Sequence, residues 1–377
     1  MRSAHALAAA GAAALSLSTL AACGGSDAKR DPGVGVGAVS VTSTDGSCEI
    51  SKKDLPAGKT VFKIANKGQK VTEVYVYAPG DKIVTERENI GPGTGVELTA
   101  ELVAGKYQVA CKPGMEGGGI RQDITVTGQA KGAADPRLTK AVTHYRAYVA
   151  AEVDDTLAGS RKFAASVNKG DVAGAKALYA PSRLGWEAIE PVAEAFGDID
   201  PKVDLREKDL EKGAEWTGWH RLEKALWVKG SVRGEEKYAD RLIKDLEDLK
   251  AKVPSAVITP TSMANGAKEL LDEVATGKVT GEEEAFSHTD LVDFKGNVDG
   301  ARKVFELLRP VVADKDADLT KTLDQEFATI ETLLKKYEKG DGYVSYTTLG
   351  KAQVKELADA VNALGEPLSK LAGAVAE

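Results

Sequence analysis

The period of the apolar residues changes once along this chain, at a run of small residues from Gly128 to Ala134. Before that run, apolar and polar side chains alternate. Val61-Phe62-Lys63-Ile64, Val71 to Tyr77, Val96 to Leu102, Tyr107-Gln108-Val109 and Ile120 to Val126 carry β-branched or aromatic residues with a period near two, the repeat of a half-buried strand. Pro56-Ala57-Gly58, Asn66-Lys67-Gly68, Ala78-Pro79-Gly80, Gly91-Pro92-Gly93 and Pro113-Gly114 stand between them, each able to turn the chain. Short strands at that spacing predict a β-sandwich. After the run, Asp135-Pro136 supplies an N-cap acid and a proline at the first helical position, and Leu138, Val142, Tyr145, Val149 and Val153 follow three or four apart. Similar stripes run over Leu178–Phe196, Thr217–Val228, Tyr238–Leu249, Met263–Val274, Leu291–Leu308, Leu319–Tyr337 and Val354–Leu371. Strand-like alternation is absent there. The expected fold class is therefore multidomain β + α: a sandwich over 38–128, a linker over 129–134 and an all-helical bundle over 135–377.

Ahead of the sandwich, Arg2 precedes an uncharged run from Ala6 to Ala22, which predicts a signal peptide over 1–22. A run of about 17 small residues barely spans a bilayer, and no basic stop-transfer cluster follows it directly. Leu20-Ala21-Ala22-Cys23 resembles the lipobox of bacterial lipoproteins, which implies a lipid on Cys23 and an address on the outer face of the cell membrane. Residues 23–37, rich in Gly, Ser and charge, then read as a flexible tether. A net charge of -7 removes the basic face that nucleic-acid binding needs, so no nucleic-acid partner is expected.

Histidine is scarce, with four in the chain, one of them in the signal peptide. His220 and Glu223 lie three apart in a helical segment, so imidazole and carboxylate share a face and can reach one metal ion. Glu187 and Glu190 repeat this spacing on a helix that Pro191 should bend, and Asp290 and Asp293 repeat it on a third. The predicted site lies between helices and is formed by His220, Glu223, Glu190 and Asp290, with Glu187 and His288 as further members. Ser287-x-x-Asp290 also imitates a helix capping box, which would give Asp290 a structural task instead.

Gly218-Trp219-His220-Arg221-Leu222-Glu223 resembles the Gly-x-His-x-x-Glu signature of the imelysin-like family. Tyr179-Ala180-Pro181-Ser182-Arg183, Glu187-Ala188-Ile189-Glu190-Pro191, Phe196 to Pro201 and Ser287 to Leu291 look like the helical domain of EfeO-type iron-uptake lipoproteins, whose two-domain form puts a cupredoxin-like domain first. The resemblance implies capture of iron, Fe(II) or Fe(III), outside the membrane and delivery to a membrane permease, alongside a haem-dependent peroxidase. Hard Fe(III) favours oxygen donors, in agreement with the acidic set. Proteolysis by the common helical zinc motif needs two histidines four apart, and the chain has no such pair.

A cupredoxin-like fold raises the question of copper, and Cys111-Lys112-Pro113-Gly114-Met115 offers a thiol and a thioether. No histidine lies between residues 24 and 130, which excludes a standard type 1 copper centre. Two readings of the remaining cysteines stay open. Cys48 and Cys111, with Glu73 and Met115, form a second site for copper or iron, for which the resemblance supplies two cysteines and an acid at matching places. Alternatively the two cysteines form a disulfide, as an oxidising compartment favours. The alternatives to iron capture are a cupredoxin-dependent ferroxidase or electron-transfer protein, and a metal-free adhesin or polysaccharide-binding protein.

Overall fold

The computed structural model describes residues 38–129, 135–194, 199–210 and 212–376. The predicted signal peptide, the tether with Cys23, and all of the linker but Gln129 lie outside the described residues. No helix among the described residues is long and apolar enough to cross a membrane.

Nine strands build the N-terminal domain: β1 (Val39–Ser43), β2 (Cys48–Ile50), β3 (Asp54–Pro56), β4 (Gly58–Asn66), β5 (Thr72–Ala78), β6 (Lys82–Ile90), β7 (Gly95–Leu102), β8 (Gly105–Pro113) and β9 (Ile120–Thr127). They form two sheets, ordered β2-β1-β4-β7 and β3-β9-β8-β5-β6. Alternate residues of each sheet face inward, so Val39, Val41, Phe62, Ile64, Val74, Val76, Leu98, Val109 and Ile124 close one apolar core. Cys48 on β2 and Cys111 on β8 lie in that core, and a disulfide between them ties the two sheets together.

The sandwich was expected, but β6 was not, because its sequence from Lys82 to Ile90 carries charge where a surface strand would alternate cleanly. The reason is tertiary. The helical domain packs against β6 and β7 and covers this edge. Asn265 donates to the Thr85 hydroxyl at 2.7 Å and to the Thr99 carbonyl at 2.9 Å, and Arg87 pairs with Asp272 at 2.8 Å.

The second domain contains α1 (Pro136–Asn168), α2 (Val172–Glu187), α3 (Glu190–Glu194), α4 (Asp200–Val203), α5 (Gly218–Lys224), α6 (Glu236–Lys252), α7 (Pro260–Thr276), α8 (Asp290–Lys315), α9 (Ala317–Lys335), α10 (Lys351–Leu368) and α11 (Leu371–Ala376). Asp135 caps α1 by accepting from the Arg137 N–H at 2.8 Å, with Pro136 in the first turn. The apolar stripes meet in one core that includes Tyr145, Trp186, Trp219, Phe294, Phe305 and Phe327. Two expectations are corrected. Strand structure is present after all, as a hairpin pairing Glu338–Lys339 with Gly342–Tyr343. Glu187 and Glu190 do not share a bent helix: α2 ends at Glu187, and Glu190 begins α3 with Pro191 in its first turn, where a missing N–H costs nothing.

Candidate metal centre

The His220 motif starts from a glycine at which any side chain would be strained. Gly218 has φ +83°, and a Cβ there would stand 2.2 Å from the Val203 carbonyl oxygen. The contact brings the start of α5 onto the end of α4, which sets Asp204 against His220. The Thr217 hydroxyl donates to the Lys202 carbonyl at 2.7 Å and fixes the same junction. Beyond Glu223, α5 widens into a π-turn over Ala225–Lys229, a local irregularity often found at functional sites.

Both ring nitrogens of His220 face carboxylates. Nδ1 lies 3.3 Å from Glu223 Oε2, and Nε2 lies 3.2 Å from Asp204 Oδ1 and 3.7 Å from Glu283 Oε1. Nε2 is fully enclosed and makes no hydrogen bond of good geometry. Two ligand sets therefore share this one imidazole: Asp204, His220 and Glu283, and His220, Glu223 and Glu284, with all donor atoms of a set within 4.8 Å of one another. A third set, Glu190, Asp200 and Asp204, shares Asp204 with the first. Mixed carboxylate and imidazole donors of this kind suit iron, and Nε2 is a donor atom in search of a partner.

Neighbouring charges and hydrogen bonds keep three of the carboxyls around His220 ionised, whereas burial raises Glu284 to about 8 and Asp200 well above its ordinary value. Burial alone would push the Glu223 carboxyl up, but hydrogen bonds from His220 and from the N–H groups of Phe286 (2.9 Å) and Ser287 (2.6 Å) hold it below the usual range. Burial likewise opposes ionisation of Asp204 and Glu283. Arg183 outweighs it at Asp204; His220, Lys278 and Arg206 do so at Glu283, so both carboxyls lie low. Burial and the Arg183 charge disfavour protonation of His220, yet its three carboxylate neighbours hold its pKa well above the ordinary value. The metal-free site thus keeps an imidazolium, and a multivalent cation binding there must expel that proton.

Around this centre sits a layer of buried cations. Arg183, on α2, is fully buried and pairs with Asp204, with Glu187 at 2.5 Å, Glu284 at 2.9 Å and Asp293 at 3.5 Å. Lys278 contacts Glu187 at 2.5 Å and Glu190 at 3.1 Å. His220, Glu223 and Glu190 belong to ligand sets. Glu187 does not: it is held by Arg183, Lys278 and the Asn297 amide, with burial raising its carboxyl to about 7. Asp290 stands behind the centre, accepting the Glu284 N–H at 3.1 Å, and burial raises it to about 6. Its helix starts after Thr289 with no side-chain cap, and Ser287 donates to Glu284 at 2.7 Å. His288 contributes backbone, with φ 59° and its carbonyl accepting the Tyr346 N–H, and its ring enters none of the three sets.

Asp204, Glu283, Glu284 and Asp200 were not anticipated. Glu282-Glu283-Glu284 reads in sequence as a solvated charge run, yet Glu283 and Glu284 are buried. The one available signal was that this run stands just ahead of Ser287-His288.

In the sandwich, the proposed second ligand set comes apart. Val74 opposes Cys111 across the β5–β8 ladder with both side chains in the core, so Glu73, one residue earlier, projects from the opposite face. There Glu73 opposes Lys112, whose Nζ lies 3.9 Å away, and accepts from the Tyr75 hydroxyl at 3.0 Å. Met115 is exposed on the loop beyond β8. Cys48 and Cys111 are bonded to each other and cannot share an ion with Glu73 and Met115. With no thiolate and no imidazole on offer, these residues do not fit a copper centre.

A β-sandwich joined to a helical bundle that encloses an acidic pocket around one histidine defines a class, and comparison with known proteins agrees with it. Residues 7–126 match the family model for a cupredoxin-like domain and residues 141–371 the model for imelysin. The chain is 39% identical over 340 residues to the iron uptake system component EfeO of Escherichia coli K12 and to that of Shigella flexneri, covering 89% of this chain and 90% of each relative. A solved structure, named as an iron-regulated protein A precursor from Parabacteroides distasonis, shares the fold with a TM-score of 0.51 at 14% identity, over 65% of this chain and 97% of that one. The chain belongs to the EfeO family.

Proposed function

We propose that this protein works in iron uptake as an extracytoplasmic, lipid-anchored iron-binding protein, which captures the ion at the His220 centre and delivers it to a permease in the membrane. The observation that carries this reading is His220 itself, with carboxylates at both ring nitrogens and Nε2 outside any hydrogen bond. Glu223, Asp204 and Glu283 supply the oxygen donors, and Arg183 and Lys278 hold the surrounding carboxylates together against their mutual repulsion. The names of the curated relatives support the iron-uptake role. A haem-dependent peroxidase of the same system is the further partner the family suggests.

Ferric citrate titrated into the His220→Ala variant by calorimetry tests the centre. Affinity should fall by at least an order of magnitude, and an unchanged isotherm removes the reading. Anchoring through Cys23 would keep loaded protein close to the permease and raise its effective concentration there. Incorporation of labelled fatty acid in the producing cell, lost in Cys23→Ala, checks the anchor.

A further inference from the structure

Three carboxylates face the His220 ring, and they are held in different ways. Asp204 is paired with Arg183, which is fully buried, and Glu223 accepts backbone N–H groups. Glu283 is held from the solvent side. Its Oε1 lies 3.7 Å from His220 Nε2, while its Oε2 accepts from Arg206 Nη1 at 2.7 Å, and the arginine side chain is 33% exposed. Arg206 is itself braced. Its Nε donates to Asp209 at 2.8 Å across a single 3-10 turn over Glu207–Asp209, so the planar guanidinium fork offers Nη1 to Glu283 in a fixed direction.

This pair stands at the opening to the site. A cavity of about 250 Å³ reaches His220 past Glu223, Phe286 and Arg206, and its rim carries the exposed Glu207, Lys208 and Glu282. A second cavity of about 350 Å³ contains Asp204, and Arg206 and Glu283 line both. The segment 205–209 therefore forms one lip of the opening and the segment 282–286 the other. Two ion pairs cross between the lips: Arg206 to Glu283, and Lys208 to Glu282 at 2.7 Å. They differ in what they touch. Glu283 belongs to a ligand set with His220, whereas Glu282 belongs to none of the three sets and faces solvent.

We propose that Arg206 is a positioning residue for iron retention: it latches the two lips through Glu283 and keeps Oε1 of that carboxylate turned towards an ion at His220. The latch rests on the iron-binding reading of the His220 centre. A carboxylate that binds an ion through one oxygen leaves the other free to accept, so ion and arginine hold Glu283 together. The arginine charge by itself repels a cation and weakens binding. The two effects have opposite signs, which makes them separable.

The test is release of iron from full-length protein loaded with ferric citrate into excess trihydroxamate chelator, whose coloured ferric complex gives the rate. Wild type, Arg206→Gln, Lys208→Gln and His220→Ala are compared. Arg206→Gln should release iron about tenfold faster, against the direction set by removing a positive charge. Lys208→Gln, which breaks an exposed pair across the same gap, should stay within about twofold of wild type. The high-spin ferric electron paramagnetic resonance signal, which reports ligand geometry, should change shape in Arg206→Gln and not in Lys208→Gln. Arg206→Lys keeps the charge and one donor and should release at an intermediate rate; if the glutamine variant does not fold, a wild-type rate here overturns the latch. Release from Arg206→Gln that is unchanged or slower also overturns it, as does equal acceleration in Lys208→Gln. Either result, with iron binding lost in His220→Ala, leaves the histidine centre standing. Iron held as tightly by His220→Ala as by wild type removes the centre and the latch with it.

Discussion

Replacing Gly218 with alanine separates two contributions that fix the histidine motif in place. At φ +83° an alanine pays a backbone cost of roughly 1–2 kcal/mol. Its Cβ would also stand 2.2 Å from the Val203 carbonyl oxygen and 2.5 Å from the carbonyl carbon, backbone atoms that cannot swing aside. Relieving such overpacking costs a further ~1–3 kcal/mol. The sum, about 2–5 kcal/mol, should lower the melting temperature of the helical domain by roughly 5–15 °C. Gly230, just past the π-turn, gives the control: it has φ +63° with nothing within 4 Å of a built Cβ, so Gly230→Ala carries the backbone cost alone. Melting followed by far-ultraviolet circular dichroism on both variants isolates the collision. The same displacement would part Asp204 from His220, so Gly218→Ala should also weaken iron binding while Gly230→Ala leaves it unchanged. Equal melting temperatures in the two variants would refute the claim that the α4–α5 contact sets the site.

Four further outcomes are expected. The His220 pKa is raised in the folded metal-free protein, so its imidazolium contributes stability that is complete below about pH 6.5 and lost as pH rises through the higher folded value; His220→Asn should flatten the denaturant midpoint against pH over that interval. Iron should displace the same proton, so calorimetry in buffers of differing ionisation enthalpy should show proton release at pH 7 in wild type and less in His220→Asn. Arg183→Met strips the counter-charge from Asp204, Glu187, Glu284 and Asp293 and should cost about 3–5 kcal/mol in urea unfolding, since it leaves buried carboxylates unpaired. Reducing the Cys48–Cys111 bond, which closes a sequence separation of 63, should cost the sandwich roughly 4 kcal/mol by loop entropy, and thiol titration of the unreduced, metal-free protein should find neither cysteine free.

Particular residues show where sequence reasoning reached and where it stopped. The Asp135-Pro136 start of α1 was legible because capping is local, decided within one turn. His220 and Glu223 were legible because a three-residue spacing on a helix is itself a geometric statement. β6 was missed, since the covering that makes its glutamates tolerable comes from α7, far along the chain. Spacing could not show that Glu187 is packed against Arg183, Lys278 and Asn297, outside the three groups of side chains that could share an ion. The thiol ligand set was drawn from residues near one another in sequence or on neighbouring strands. Strand alternation then put its acid and its sulfurs on opposite faces.

The sequence by itself determined the two domain types, the helix carrying the histidine motif and the absence of histidine from the sandwich, because period, capping and composition act over short stretches. Tertiary structure alone decided which carboxylates stand around His220. Asp204, Glu283 and Glu284 approach His220 from segments as much as 64 residues away, since Glu284 and His220 differ by that much in number. Which carboxylates face the imidazole and which face Arg183 or Lys278 is set by packing between helices.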